Sequence, residues 1–446
     1  MIPPKLDSGA AMSQSDLNKR TEIFLEFIYY IFDSLLIPLI RSNFHVTESN
    51  VYRNRIFFFR HDVWRSVSEP SLATLKLSLL EEMKMEKARS ILDARSLGFS
   101  QIRLLPKESG VRPIMNLRRR VLKTQNGKVI LGRSINSVMA PVFNMLSYER
   151  LHQVGRLRSS LFSVGDMYPK VKTFKTRLQQ SGSSEKVLYF AKVDVQSCFD
   201  TIPQRRVVGL IEKLVSEDEY SIARHAEIKA QDSHQYNAGI GPPAKPARKF
   251  IAKARAVHDF SDFEHVVNSE LATGKKNTIF VDSVVRSLQN KDKLLDLLEE
   301  HVERNIIKIG KKFYRQKEGI PQGSVLSTLL CNFFYGELET ECLGFLVEGE
   351  SLLLRLIDDF LLITTEREHA RRFLQVMHNE VEKYGVKVNP GKSLVNFEVT
   401  VNGAKIPRLV GGTGFPYCGN LIDTKSLEIS KDRERKRAAG KSHRPT

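Results

Sequence analysis

The sequence predicts an α+β fold, and three observations carry that prediction. A mainly helical stretch over residues 1 to about 95 precedes a region where strands, hairpins and helices alternate. Inside that region "VLYFAKVDVQSCFDTIP" reads as a buried strand ending in carboxylates. Farther on, "LLLRLIDDFLLITT" sets two apolar runs, each too short for a typical helix, around Asp358 and Asp359.

The elements follow in order. Ile23 to Ile40 is apolar enough to resemble a membrane span, but Glu26, Asp33 and Pro38 interrupt it. Phe24, Phe27, Ile28 and Ile31 recur at helical spacing, so a buried helix and no membrane are expected. The opening "MIPPKLDSGAAMSQSDLNKR" lacks the apolar core of a secretory signal. An aromatic cluster follows in "VYRNRIFFFRHDVW", then "IRLLPKESGVRPIMNL" with two extended arms around Glu108, Ser109 and Gly110. Residues 207–312 form a long mixed stretch containing the connector "GIGPPAKPARKF", which reads as an insertion with its own helices. "KEGIPQGSVLSTLLCNFFYGELE" turns between Gly319 and Gly323 and continues as an apolar helix. After the Asp358 hairpin come a helix at 366–384 and the segments "GVKVNPGKSLVNF" and "FPYCGNLIDTKSLEI".

The net charge is +18, from 69 Lys and Arg against 51 Asp and Glu. That excess points to a polyanionic partner, most simply nucleic acid. The charge is also clustered, with nine Lys or Arg and one Glu between Gln101 and Arg133. Cys198, Cys331, Cys342 and Cys418 show no CxxC spacing, which speaks against a zinc site and for reduced, mostly buried thiols in the nucleus or cytosol.

Asp358 and Asp359 pose the sharpest question. Two like charges ~4 Å apart repel by ~4 kcal/mol at an effective dielectric of 20. The pair is tolerable if it is solvated in a turn, shares a proton or holds a cation. With Asp194 at the end of the preceding strand, three carboxylates from two strands suit two divalent ions for in-line phosphoryl transfer.

These segments, in this order, resemble the telomerase reverse transcriptases, from about Ile37 to Ile429. "FHVTESNVYRNRIFFFRHDVW" resembles the T motif and "IRLLPKESGVRPIMN" motifs 1 and 2. "VDVQSCFDTIP" resembles motif A, "GIPQGSVLSTLLCNFFYGELE" motif B, "LLLRLIDDFLL" motif C, "VNPGKSLVNF" motif D and "FPYCGNLIDT" the primer-grip motif E. The resemblance implies a right-hand polymerase fingers and palm. It divides the chain into the end of an RNA-binding domain (1–95), a reverse transcriptase domain (96–430) with an insertion in the fingers (207–312), and a basic disordered tail (431–446). The family's helical thumb and its N-terminal telomere-binding domain are expected to be absent.

Roles carry over residue by residue as implications of that resemblance. Asp194, Asp358 and Asp359 would hold two Mg²⁺, with the Val195 carbonyl an extra ligand. Lys107 and Arg112 would meet the incoming triphosphate, and Lys392 would act as general acid toward pyrophosphate. Phe199 would floor the sugar and exclude a 2′-hydroxyl, while Gln322 and Gly323 would let the backbone approach the nucleotide. Tyr417, Cys418 and Gly419 would grip the primer end. Phe57, Phe58, Phe59, Arg60 and Trp64 would bind RNA by stacking and phosphate contacts, although some of these aromatics are expected in a core. His45 and His61 stand where the family commonly has Tyr and Lys.

The expected activity is therefore that of a nuclear RNA-directed DNA polymerase at chromosome ends (telomeres). Its partners would be telomerase RNA, a telomeric single-stranded DNA primer, dNTPs and accessory proteins. A retroelement reverse transcriptase would lack the T motif and the long insertion. A catalytically dead RNA-binding relative would have lost a carboxylate, and a scaffold would need no basic channel.

Overall fold

The computed structural model describes residues 13–49, 54–107, 110–125, 128–182, 185–229, 246–259, 261–347, 349–379 and 381–433. Glu108 and Ser109, most of the "GIGPPAKPARKF" connector and the tail from 434 onward lie outside the described residues. The chain divides into two compact units, residues 1–78 with 102–114, and residues 79–101 with 115–446.

The first unit opens with helix Gln14–Tyr30, continued through a wider turn at Ile31–Leu36 into Ile37–Asn43. Ser13 caps its start by accepting the Asp16 N–H at 3.2 Å. The expected burial of Ile23–Ile40 is not met, because none of the residues from Gln14 to Asn43 is buried among the described residues. The reason lies in the pattern. Ile23, Leu25, Phe27, Tyr30 and Leu35 point all round the helix, so no single stripe selects a face to cover. Strand Phe44–Glu48 then pairs antiparallel with Ile56–Arg60, and helix His61–Leu79 follows. The arms Ser100–Pro106 and Val111–Met115 form the expected hairpin, closed by the Lys107 N–H on the Gly110 carbonyl at 3.0 Å.

The second unit is built on a four-stranded sheet, ordered Ser351–Leu356, Asp359–Thr364, Tyr189–Asp194 and Leu394–Val395. Its alternation decides both faces. Ala191, Val193, Phe360 and Leu362 pack with buried residues of helices Ser327–Cys342 and Arg367–His378. Phe190, Leu354, Leu361 and Ile363 pack with helix Met167–Gln180 and with Phe415, Tyr417 and Ile422 from a small sheet. That small sheet is Gly414–Tyr417, Asn420–Asp423 and Ile429–Lys431, so Lys431 belongs to a strand and not to a tail.

The insertion differs from its expectation. Its centre is a three-stranded antiparallel sheet, Ala247–Ala256, Glu219–Lys229 and Thr278–Asn290, rather than helices. Helices Gln204–Leu214 and Lys291–Glu303 bury Ile211, Leu294 and Leu298 in the main core. They are therefore core elements, and the three-stranded sheet meets the same core through Tyr220, Ile222 and Ala254. Hairpin Ile306–Ile309 and Lys312–Gln316 joins Leu80–Met83 on one side and Ser100–Gln101 on the other.

Candidate active site

The register of two strands assembles the carboxylates. Asp359 lies directly opposite Asp194, and the Asp358 carbonyl accepts the Val195 N–H at 3.1 Å. The tight turn is Ile357–Asp358, closed by the Leu356–Asp359 pair, so the two aspartates do not themselves form the turn. Ile357 takes φ +61°, which costs a β-branched residue ~1–2 kcal/mol. A buried cation beneath it holds that strain. Arg355 donates from Nε to Glu339 Oε1 at 2.6 Å and from Nη1 to Asn332 Oδ1 at 2.9 Å, and reaches the Ile357 carbonyl at 3.5 Å. Arg355 and Glu339 are almost fully buried, so removing either leaves an uncompensated charge worth ~3–5 kcal/mol.

Burial, then the charge of Asp359, and more weakly that of Asp194, push the Asp358 carboxyl up to about 6. Cys198 Sγ stands 3.7 Å from Asp358 Oδ2. The neighbouring carboxylates face ammonium groups, with Lys392 Nζ 3.5 Å from Asp194 and Lys192 Nζ 3.9 Å from Asp359. Lys392 was legible as part of motif D. Lys192 was missed, although period-two alternation in "FAKVDV" puts it on the face of Asp194. Among the described residues no three His, Cys, Asp or Glu side chains converge on one point, because Asp194 and Asp359 are turned to these lysines. The donor chemistry nevertheless fits hard divalent cations. All three side chains offer carboxylate oxygen, and their mutual repulsion is what a cation relieves.

Beside the carboxylates, the loop Gly319–Gly323 packs on the short helix Cys198–Thr201. The Ile320 N–H donates to the Phe199 carbonyl at 2.6 Å. A Cβ on Gly319, whose φ is +72°, would lie 2.5 Å from that carbonyl oxygen, so only glycine fits. Gln322 donates to Asp200 Oδ1 at 2.9 Å, and the Gly323 carbonyl accepts from Asn136 Nδ2 at 3.1 Å. Phe199 is half-buried against the main core, its backbone fixed by the same loop. Val195 is buried. Asn136 and His301, the latter 2.8 Å from Ser324 Oγ, support this loop and carried no sequence signal.

Lys107 and Arg112 are exposed on the hairpin of the first unit. The primer-grip expectation needs one revision. Tyr417 is buried, and its hydroxyl donates to the Asp359 carbonyl at 2.9 Å, which makes it a positioning residue for the catalytic strand. Cys418 (φ +47°) and Gly419 (φ +78°) form the two-residue turn beyond it, with Cys418 Sγ 3.8 Å from Asp359 Oδ2. Burial, then the Asp359 charge, push the Cys418 thiol up to about 12. That agrees with a packing role and not a nucleophilic one.

In the first unit, Phe57, Phe59 and Trp64 face inward. Trp64 lies 5.2 Å from Phe59 and stacks on His45 at 4.1 Å between ring centres. Phe58 and Arg60 are exposed, Arg60 pairing with Asp62 at 2.8 Å. The aromatic cluster therefore splits into three half-buried residues and two exposed ones.

A strand end carrying one aspartate beside a hairpin carrying two, with a glycine-rich loop against them, defines a polymerase palm of the reverse transcriptase type. The comparisons agree. The telomerase ribonucleoprotein complex RNA-binding domain family matches residues 4–75, and the reverse transcriptase (RNA-dependent DNA polymerase) family matches residues 259–406. The telomerase reverse transcriptase of Canis lupus familiaris is 31% identical over 429 residues, covering 93% of this chain and 37% of that protein. That of Mus musculus is 29% identical over 425 residues, covering 93% and 37%. Telomerase from Candida albicans, in complex with a TWJ fragment of telomeric RNA, superposes with a TM-score of 0.66 at 20% identity, covering 95% of this chain and 59% of that one. Apo telomerase from Candida tropicalis truncated from its C-terminal domain gives 0.61 at 21% identity, covering 94% and 70%. The chain belongs to the telomerase reverse transcriptase family. It spans a little over a third of the length of the curated relatives it matches. The exposed helix Gln14–Asn43 is long and apolar enough to cross a membrane, but it falls within the segment that matches the RNA-binding domain.

Proposed function

We propose that this chain supplies the polymerase centre of a telomerase, adding deoxynucleotides to a DNA 3′ end by copying a template in a bound RNA. The register that sets Asp359 opposite Asp194, with Asp358 in the adjoining turn, is the observation that carries this reading. Two Mg²⁺ held by Asp194, Asp358 and Asp359, with the Val195 carbonyl as an added donor, would activate a 3′-hydroxyl and neutralise the triphosphate. The residues themselves do the rest. Lys392, whose Nζ lies 3.5 Å from Asp194, would protonate the leaving pyrophosphate. Phe199 fills the space a 2′-hydroxyl would need, with Gln322 and Gly323 lining the nucleotide path. Lys107 and Arg112 hold triphosphate oxygens. Cys418 and Gly419 form the turn over the primer end, while Tyr417 fixes that turn to the catalytic strand.

The proposed partners are telomerase RNA, bound partly through the exposed Phe58 and Arg60, together with a telomeric DNA primer, dNTPs and accessory proteins. The proposed location is the nucleus, at chromosome ends. Primer extension by the purified chain with added telomerase RNA, Mg²⁺ and dNTPs tests the reading. Template-directed addition that vanishes in Asp194→Ala supports it, whereas addition that persists in that variant refutes it.

A further inference from the structure

Lys192 has no place in the chemistry above. It occupies the middle of the central strand, between Leu361 on one side and Leu394 on the other. An ammonium flanked by leucines at a sheet centre is unusual, because such positions are normally apolar. Its strand face explains what it is near. Phe190, Lys192 and Asp194 alternate onto one face of the sheet. Phe190 is fully covered, its ring 5.2 Å from Phe415 of the grip sheet. Two residues on, the Lys192 side chain is 21% exposed, and a further two on, that of Asp194 is 26% exposed. The face thus opens from beneath the grip sheet to the carboxylates, and Lys192 stands at the mouth. Among the described residues its one charged partner is Asp359, at 3.9 Å, too long for a hydrogen bond. Cys418 Sγ of the grip turn stands 3.8 Å from the same Asp359 carboxylate, so the ammonium and the grip turn meet at one side chain.

We propose that Lys192 binds the last internucleotide phosphate of the primer, between the grip turn and the carboxylates; this rests on the polymerase reading given above. Lys192 lies two residues from Asp194, about 7 Å along a strand. That offset runs toward Phe190, which packs on Phe415 of the sheet that carries the grip turn, and the proposal sets the primer strand on that side of the carboxylates. A compact, strongly hydrated point charge suits a single phosphate reached from a deep strand. Cations bound at Asp194 and Asp359 would neutralise Asp359 and leave Lys192 available to the phosphate. Two lysines then flank the reaction, Lys192 on the primer side and Lys392 on the pyrophosphate side.

Binding of the full chain to a short RNA–DNA hybrid, followed by fluorescence anisotropy across a salt series with Ca²⁺ in place of Mg²⁺, tests the proposal. Lys192→Gln should weaken binding about ten-fold at low salt. Its log–log salt dependence should be shallower by about one phosphate contact. Lys192→Arg should stay within a few-fold of the native chain. A primer carrying a neutral methylphosphonate at its last linkage should lose the same affinity on the native chain and lose nothing more on Lys192→Gln. That non-additivity is something a merely structural lysine does not produce, and circular dichroism checks that each variant is folded. Equal affinity and slope for Lys192→Gln and the native chain overturn the proposal, as do additive losses from the variant and the methylphosphonate. A native chain that binds no hybrid at all overturns the polymerase reading instead, and the proposal with it.

Discussion

Asp358→Asn should separate stability from activity. The Asp358 carboxyl is pushed up to about 6 from 3.8 by burial and by its acidic neighbours. An acid whose folded value lies above its unfolded one destabilises the fold when ionised. The rise from 3.8 to about 6, at 1.36 kcal/mol per tenfold change in proton affinity, is about 3 kcal/mol. The sign fixes the window. Below the unfolded value, near 3.8, both states are protonated and the penalty is absent. It grows as pH rises and is complete above about 6. The asparagine keeps the shape and carries no charge, so without divalent cations it should match the native chain at about pH 3. At pH 7.5 it should be about 3 kcal/mol more stable. Urea denaturation followed by far-UV circular dichroism reads this, because the chain's one tryptophan, Trp64, belongs to the first unit. Added Mg²⁺ should stabilise the native chain and leave the variant nearly unmoved, since a carboxylate ligand is gone. Nucleotide addition should fall at least a thousand-fold, about 4 kcal/mol of barrier. A stability difference independent of pH, or equal Mg²⁺ stabilisation of both chains, would refute the reasoning.

Asp194→Ala should abolish nucleotide addition and leave RNA affinity within two-fold, because metal ligands serve the transition state and RNA is held elsewhere; parallel losses in a filter-binding and an extension assay would contradict this. Phe199→Ala should admit ribonucleotides, measured as the ratio of ribo- to deoxynucleotide kcat/KM, and an unchanged ratio in an active variant would remove its steric role. Gly319→Ala forces a Cβ to within 2.5 Å of the Phe199 carbonyl at a positive φ, and should cost about 1–3 kcal/mol in urea denaturation while raising KM for dNTPs.

Much of the site was legible because its chemistry sits on short, strongly patterned segments. Period-two alternation placed Asp194 at a strand end and bracketed Asp358 and Asp359 between buried runs, and the structure pairs those strands. What could not be read depends on partners remote in sequence. The Asp358–Asp359 pair looked like a turn, but the actual turn begins at Ile357, whose strained backbone is held by Arg355 through Glu339 and Asn332. Tyr417 looked free to touch a primer, yet a hydrogen bond across 58 residues of sequence ties it under Asp359. The insertion read as a mixed stretch with its own helices, yet helices Gln204–Leu214 and Lys291–Glu303 bury their apolar stripes in the main core.

The turn and Tyr417 share one physical cause. In both, the backbone of the site is held by a buried polar side chain whose other contacts lie on another element. The arrangement has a functional logic. A carboxylate cluster that must tolerate its own repulsion cannot rely on its own turn for geometry. The strain at Ile357 is sustained only because a buried guanidinium beneath it is fully engaged, and the strand bearing Asp359 is pinned from its other side by Tyr417. Arg355 on one flank and Tyr417 on the other fix the backbone, so the proposed binding of cations at the carboxylates would shift side chains, with Lys192 and Lys392 facing Asp359 and Asp194, and leave the strands in place.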